Sequence, residues 1–241
     1  MEPYFETALG KLYCGDALEV MEEIPPESVD LVVTDPPYGV TEMQWDTFRE
    51  NEYWEFTRRW LTLVYRLLKD GGQLYVFFAQ KRMFEFKQVL IGAGFNFKRM
   101  LIWHHPNMVR KFTKKSYVWT YDPVFYAIKG ERPKVFHSSF VNKYNVDVFT
   151  FALPQSNFTG HKKRVHPTQK PLDLVKIFIY NSSDEGDLVL DPFAGSGTTL
   201  LASEMMYRRW IGIEINPEYC DIIKKRFDDE LGGIYNSARL L

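Results

Sequence analysis

Apolar positions along the chain follow two periods. Val29-Asp30-Leu31-Val32-Val33-Thr34 is a β-branched run, and Gln73 to Ala79 is a second apolar run. Both predict buried strands. The shorter runs Lys11 to Cys14, Leu188 to Leu190 and Trp210 to Ile213 predict three more. Between them the apolar spacing turns helical. Tyr53 to Lys69 predicts a helix that Gly71-Gly72 would close. Ala17 to Ile24, stopped by Pro25-Pro26, and Met83 to Ile91, ended by Gly92 and Gly94, predict two others. Pro171 to Tyr180 predicts a helix with proline in its first turn. A further helix starts near Thr198, and Asn216 caps a last one that begins at Pro217. Phe97 to Trp103 and Val124 to Lys129 predict paired strands around a basic loop. Gly39 to Asn51 reads as a mobile polar loop, and Glu131 to Val165, with weak periodicity, as an inserted specificity segment. Strands alternating with helices imply an α/β fold, a mostly parallel sheet with helices on both faces. Such sheets bind ligands at the carboxyl ends of their strands.

A chain of 241 residues has room for one large domain with a modest insertion. Apolar residues at 45% and charged residues at 25% exclude wholesale disorder. Two cysteines, Cys14 and Cys220, are far apart in sequence and build no disulfide framework or four-thiolate zinc site, so a reducing, cytoplasmic setting is expected. No tight His/Cys/Asp spacing points to a metal. The first residues lack a signal-peptide pattern, and no apolar stretch approaches a membrane span.

The net charge of −1 names no partner, but its distribution does. Residues 98–176 hold 15 basic and 4 acidic side chains, a net of +11, and the remainder carries −12. All five histidines lie in the same segment. Its rings, among them Phe112, Tyr117, Trp119 and Phe158, are interleaved with the bases. Rings among cations suit phosphate contact combined with base stacking. A solvated surface is the plainer reading of the charge run alone. The phosphate-contact candidates are Arg110, Lys111, Lys114, Lys115, Lys162, Lys163 and Arg164.

Two motifs carry chemistry, and each closes a predicted strand. Asp191-Pro192-Phe193-Ala194-Gly195-Ser196-Gly197-Thr198-Thr199 joins a strand to a helix. Its glycines allow a tight turn and close approach of a ligand, and the helix start offers unpaired N–H groups. Glu214 ends the next strand, 23 residues after Asp191, where an acid can accept hydrogen bonds from ribose hydroxyls. A dinucleotide site would want a third glycine where Leu200 stands. Asp191 is a poor neighbour for pyrophosphate and a good one for an ammonium. S-adenosylmethionine has a ribose, an adenine and an ammonium, and no phosphate.

The second motif, Asp35-Pro36-Pro37-Tyr38, suits an exocyclic base amine, whose lone pair is conjugated into the ring. Two acceptors on its two hydrogens pull it towards tetrahedral geometry and free the lone pair. The Asp35 carboxylate and the Pro36 carbonyl can be those acceptors, since the two prolines fix the backbone and bring no N–H. Asp35 can also take up the released proton. Tyr38 can stack on a base turned out of a duplex.

These two motifs, with His166-Pro167-Thr168-Gln169-Lys170-Pro171, resemble the DNA amino-methyltransferases, which methylate adenine N6 or cytosine N4 with S-adenosylmethionine. The order of catalytic motif, recognition segment and cofactor motif is similar to the circularly permuted β group. The resemblance runs from Tyr13 to about Phe227 and thins over Glu131 to Val165. It implies a Rossmann-like sheet of seven strands, one of them antiparallel. It divides the chain into a catalytic domain, 1–130 with 166–241, and a target-recognition segment, 131–165. It implies a catalytic set of Asp35, Pro36, Pro37 and Tyr38. The cofactor set it implies is Asp16, which would bind the adenine amine; His166, Thr168 and Lys170 near the methionine end; and Asp35, Asp191, Phe193, Gly195, Ser196, Gly197, Thr198 and Glu214. Asp as the first residue of the catalytic motif favours adenine over cytosine. The implied partners are double-stranded DNA, a second copy of the chain and a cognate restriction enzyme. The alternatives are cytosine N4 methylation, an RNA substrate, a silent DNA-binding subunit, against which the intact Asp35 argues, and a nicotinamide oxidoreductase. Trp45, in the loop after Tyr38, would either close over the site or anchor the loop.

Overall fold

The structure is a computed structural model, which describes residues 1–39, 49–107, 117–137, 146–154 and 169–238. Among them the sheet has nine strands: β1 (Phe5–Glu6), β2 (Gly10–Cys14), β3 (Val29–Thr34), β4 (Leu68–Phe77), β5 (Asn96–His104), β6 (Tyr121–Ile128), β7 (Val148–Thr150), β8 (Leu188–Asp191) and β9 (Arg209–Glu214). Their order across the sheet is β1-β2-β9-β8-β3-β4-β6-β5-β7. The expected seven strands are its interior, β2 to β5, in which β6 alone runs against the rest. The expectation of seven is corrected by two short edge strands. β1 pairs antiparallel with β2 and so adds a second reversed strand, while β7 pairs parallel with β5. Two or three residues carry no readable alternation, which is why neither edge is visible in the sequence.

Helices cover both faces. α1 (Ala17–Glu23), α2 (Glu50–Leu67) and α3 (Met83–Gly92) pack on one, around Trp60, Leu61 and Phe86. α4 (Leu172–Ser182) and α5 (Thr198–Met205) cover the other, with α6 (Pro217–Ala238) closing the β2–β9 side over Trp210. α2 buries Tyr53, Thr57, Trp60, Leu61, Val64 and Leu67, positions three or four apart that form one stripe. It stops at Leu67, and β4 follows directly at Leu68. Gly71-Gly72 therefore does not close the helix as expected. The pair lies inside β4, where Gly71 has φ +72° and a Cβ would meet the Lys134 nitrogen at 2.7 Å. Close approach of a second backbone segment, not helix termination, requires glycine there. Pro171 likewise stands just before α4 as its cap residue, while Asn216 caps α6 through the Glu218 N–H at 2.9 Å.

The start of the weakly periodic segment is tied to the amino end of the sheet. The Lys134 N–H donates to the Gly71 carbonyl at 2.9 Å, and its ammonium joins that of Lys69 on the buried carboxylate of Asp30. Burial opposes the charge on Asp30, but hydrogen bonds from Lys69, the Leu188 N–H and Lys134 hold its carboxyl below the usual range. No helix among the described residues is long and apolar enough to cross a membrane.

β8 leads through α5 to β9 on one side, and β3 leads through α2 to β4 on the other. The chain thus leaves the neighbouring carboxyl ends of β8 and β3 towards opposite faces, which opens a crevice between them. Beneath it Phe178 of α4, 1% exposed, stacks on Tyr75 with ring centres 4.6 Å apart. Phe178→Ala should cost about 3–5 kcal/mol in urea unfolding, because a ring-sized void opens against a stiff sheet. A loss below about 1 kcal/mol would show that the sheet does not depend on this stack.

Candidate functional site

The crevice at the carboxyl ends is a cavity of about 490 Å³. Four strand ends supply its walls. β2 contributes Gly15 and Asp16, β3 contributes Thr34 to Tyr38, β8 contributes Asp191 to Ser196, and β9 contributes Glu214 to Asn216. Thr198 and Thr199 of α5, Lys170, Phe56, Phe77 and Tyr219 add to the lining. The two sequence motifs therefore face one space although they are far apart in the chain.

The catalytic-motif end is held from two sides. The Tyr38 hydroxyl donates to one oxygen of Asp35 and the Lys170 ammonium to the other. Burial and the neighbouring Asp35 charge push the Tyr38 phenol well above its ordinary range, so it stays a donor. The Tyr38 ring leans edge-on against Phe78 with centroids 5.4 Å apart. Pro36 is buried and Pro37 half-buried. The Lys170 ammonium also sits 5.1 Å from the centre of the Phe77 ring, a cation–π distance.

The glycine-turn end is built on Asp191 and Glu214. Asp191 is buried; its carboxylate accepts from the Thr34 hydroxyl at 2.8 Å and the Phe193 N–H at 3.1 Å. Burial outweighs these bonds and pushes its carboxyl up to about 7. Glu214 accepts from the Gly195 N–H at 2.8 Å on one oxygen and from the Asn216 N–H at 2.9 Å on the other. Its carboxyl is raised by burial against the pull of the Asn216, Gly195 and Ile215 amides. Each oxygen retains acceptor capacity towards the cavity. Gly195 takes φ +52°, and a Cβ there would meet nothing nearer than the Phe193 oxygen at 3.9 Å, so bare backbone faces the cavity. Gly197 is different. It does not line the space; it starts α5 at φ +74°, where a Cβ would strike Ile223 at 2.8 Å. Phe193 leans against Phe56 and Trp60 at the cavity wall.

Asp16 lines the cavity and also caps α1, accepting the Leu18 N–H at 2.7 Å on Oδ1. The cap leaves Oδ2 for another donor. Ser196 and Thr198 are braced from below by Arg226 of α6, whose guanidinium donates to the Ser196 carbonyl and, at 3.3 Å, to the Thr198 hydroxyl. Neither Arg226 nor Thr34 is marked by any motif. His166, Thr168, Arg110, Lys111, Lys114, Lys115, Lys162, Lys163, Arg164 and Trp45 lie outside the described residues.

The donor set fits S-adenosylmethionine. A carboxylate with spare acceptors ends β9, a second buried carboxyl is hydrogen-bonded by Thr34, Thr199 and Phe193 and faces the like charge of Asp35, and a bare backbone turn lies between them. Comparison with known proteins agrees with this geometry. The profile of a family described as DNA methylase, of N6 and N4 type, matches residues 29–225. A type II methyltransferase of Haemophilus parainfluenzae, M.HpaI, is 33% identical, over 92% of this chain and 76% of its own. The solved PvuII DNA methyltransferase, cytosine-N4-specific, superposes with TM-score 0.80 at 27% identity, covering 98% of this chain and 94% of that one. The M1.HpyAVI complex with S-adenosylmethionine does so with TM-score 0.75 at 28% identity, covering 91% and 100%.

The raised carboxyl of Asp191 sets a pH dependence. It must lose its proton before it can pair with a ligand ammonium. The affinity for S-adenosylhomocysteine should therefore climb as pH rises from about 6 to about 8 and then level off. Calorimetric titration across that range measures it, and Asp191→Asn should bind more weakly with a flatter profile. An affinity that falls with rising pH would place the ligand ammonium elsewhere.

Proposed function

We infer the activity from one premise: the chain belongs to the DNA methylase family of N6 and N4 amino-methyltransferases. Its substrate is adenine in double-stranded DNA, methylated on N6. The observation that carries this reading is Asp35, a carboxylate placed at the end of β3, inside the cavity and next to the glycine turn. An acid at that position is the form usual for adenine among the enzymes the motif resembles. A cytosine-N4 substrate is the second reading, favoured by the likeness to the cytosine-N4-specific PvuII enzyme.

The cofactor is S-adenosylmethionine, which when bound supplies an electrophilic methyl group on a sulfonium. Glu214 and Asp16 would hold its nucleoside, with the Gly195 turn beneath, and Asp191 its ammonium. The chain's own residues do the rest. Asp35 and the Pro36 carbonyl accept the two amine hydrogens, so the nitrogen lone pair leaves the ring plane. The two prolines put no N–H beside these acceptors to compete for them. Asp35 then takes the proton that the amine gives up. Before a base enters, the Tyr38 hydroxyl and Lys170 hold that carboxylate from its two sides. The Tyr38 ring floors the pocket for a base turned out of the duplex. The segment 131–165 contributes to target recognition, and the basic groups of 110–115 and 162–164 hold phosphates.

Incubation with S-adenosylmethionine and unmethylated DNA of mixed sequence, followed by nucleoside mass spectrometry, tests the reading. N6-methyladenine is expected. N4-methylcytosine would overturn the adenine assignment and leave Asp35 in place, and the absence of both products with cofactor bound would overturn a DNA substrate. Asp35→Ala should keep cofactor affinity and lose turnover; full activity in that variant would remove Asp35 from the chemistry. Lys114→Ala should weaken binding evenly across DNA sequences and lower the salt slope by about one.

A further inference from the structure

β3, β4 and β6 are successive neighbours in the sheet. β6 runs against β4, so it begins where β4 finishes: Phe77 pairs with Val124, and the Phe78 N–H donates to the Pro123 carbonyl at 3.0 Å. Asp122 is the next residue outward, on the same rim as Asp35. Two strand spacings put the backbones of β3 and β6 about 10 Å apart. The Lys170 ammonium lies over the strand between them, above the Phe77 ring. On one side it is bound to Asp35. On the other, the Asp122 carboxyl feels the charges of both Lys170 and Asp35, and the Tyr38 hydroxyl feels Asp122. One ammonium therefore stands between two carboxyl groups.

On the far side of Asp122, among the described residues, stands a neutral imidazole. Its carboxyl is 14% exposed and meets the Nε2 of His105, which is wholly buried, at 3.3 Å. The His105 ring is wedged edge-on between Trp103 and Trp119. Burial, with His104 and Lys170 nearby, holds it down to about 4, so it is neutral at neutral pH. Its Nδ1 is buried and has no hydrogen-bond partner among the described residues. The groups facing Asp122 are thus His105 from just after β5, Asp35 and Tyr38 from the turn after β3, and Lys170 from before α4. Burial pushes the Asp122 carboxyl up to about 7 even with Lys170 pulling it down.

We propose that Asp122 is a positioning residue for the methylation site: it is the second seat of the Lys170 ammonium, which moves there from Asp35 when a base amine takes its place. The inference rests on the role of Asp35 given above. In the present arrangement Asp35 accepts from Tyr38 on one oxygen and from Lys170 on the other, and an amine that donates to the second oxygen must share it with the ammonium. An ammonium leaving a carboxylate inside a cleft is costly unless a second partner receives it. Asp122 is that partner. The move requires Asp122 ionised, so turnover should rise with pH through the neutral range.

Two measurements test this. The first needs no substrate. Carboxyl ¹³C resonances of the aspartates are followed against pH in the wild-type protein and in Lys170→Gln. Removal of the cation should raise the Asp122 midpoint; an unchanged midpoint would overturn the proposal. The second is kinetic. Asp122→Asn should lower kcat about tenfold or more with KM for mixed-sequence DNA changed less than about twofold. The neutral limb of its kcat–pH profile should vanish, and Asp122→Glu should restore part of the rate. The double variant with Lys170→Gln should be no slower than Lys170→Gln alone, whereas losses that multiply, or a wild-type rate in Asp122→Asn, would overturn it. Should Asp122→Asn not fold, the titration and Asp122→Glu decide. A wild-type protein that binds cofactor and methylates no base would instead bring down the substrate reading, and the titration would still answer for Lys170 and Asp122.

Discussion

The hydrogen bond from the Thr34 hydroxyl to the buried Asp191 carboxylate, 2.8 Å long, is the contact on which the site depends. It joins the carboxyl ends of β3 and β8, adjacent parallel strands whose residues lie 157 apart in the chain. The next residue after Thr34 is Asp35, and the residues after Asp191 are the glycine turn. A second bond, from the Thr199 hydroxyl of α5 to the Val33 carbonyl at 3.2 Å, fastens the start of that helix to the same strand. One motif's position is therefore set by the other's through two short side chains. Group transfer between two bound molecules tolerates little misplacement, and rigid strand ends meet that demand better than loops.

The same contact sets the electrostatics. Asp16, Asp35, Asp191 and Glu214 line one crevice of low polarity, with Asp122 at its edge. Burial keeps Asp191 and Asp122 near 7 instead of in the usual carboxylate range, and the Asp35 charge raises both. Such crowding works against stability. It makes the crevice a preorganised receptor for a ligand that brings hydroxyls and an ammonium, since those groups meet acceptors already fixed in place. Lys170 offsets the excess at the catalytic end, whereas Asp191 at the other is held by the hydrogen bonds of Thr34, Thr199 and Phe193.

What could be read from the chain is what depends on neighbours in sequence. The β-branched run Val29–Thr34 is β3 to the residue, and the turn after Asp191 opens α5 at Thr198 as its glycines require. What escaped depends on neighbours in space. Gly71-Gly72 looks like a helix stop because glycine ends helices; here it admits the backbone of Lys134, which no local pattern announces. Arg226 looks like one more surface base on α6 and instead braces Ser196 and Thr198. Asp122 sits in a strand of aromatic and branched residues, and its meaning appears only when β6 is known to start beside the end of β4. Cys14 and Cys220, far apart in sequence, both pack in the cluster beside Glu214, since β2 and β9 are neighbours.

Chain order matters little to such a site and strand adjacency matters a great deal. The sequence runs β3, β4, β5, β6, β7, then β8 and β9, yet the cavity is formed where β2, β9, β8 and β3 stand side by side. Placing the glycine-turn half last has a physical consequence. Everything between β4 and α4 becomes an excursion that leaves the crevice after one motif and re-enters it at Lys170, just before the other. The excursion carries the excess of basic residues, and its last side chain is the one bound to Asp35.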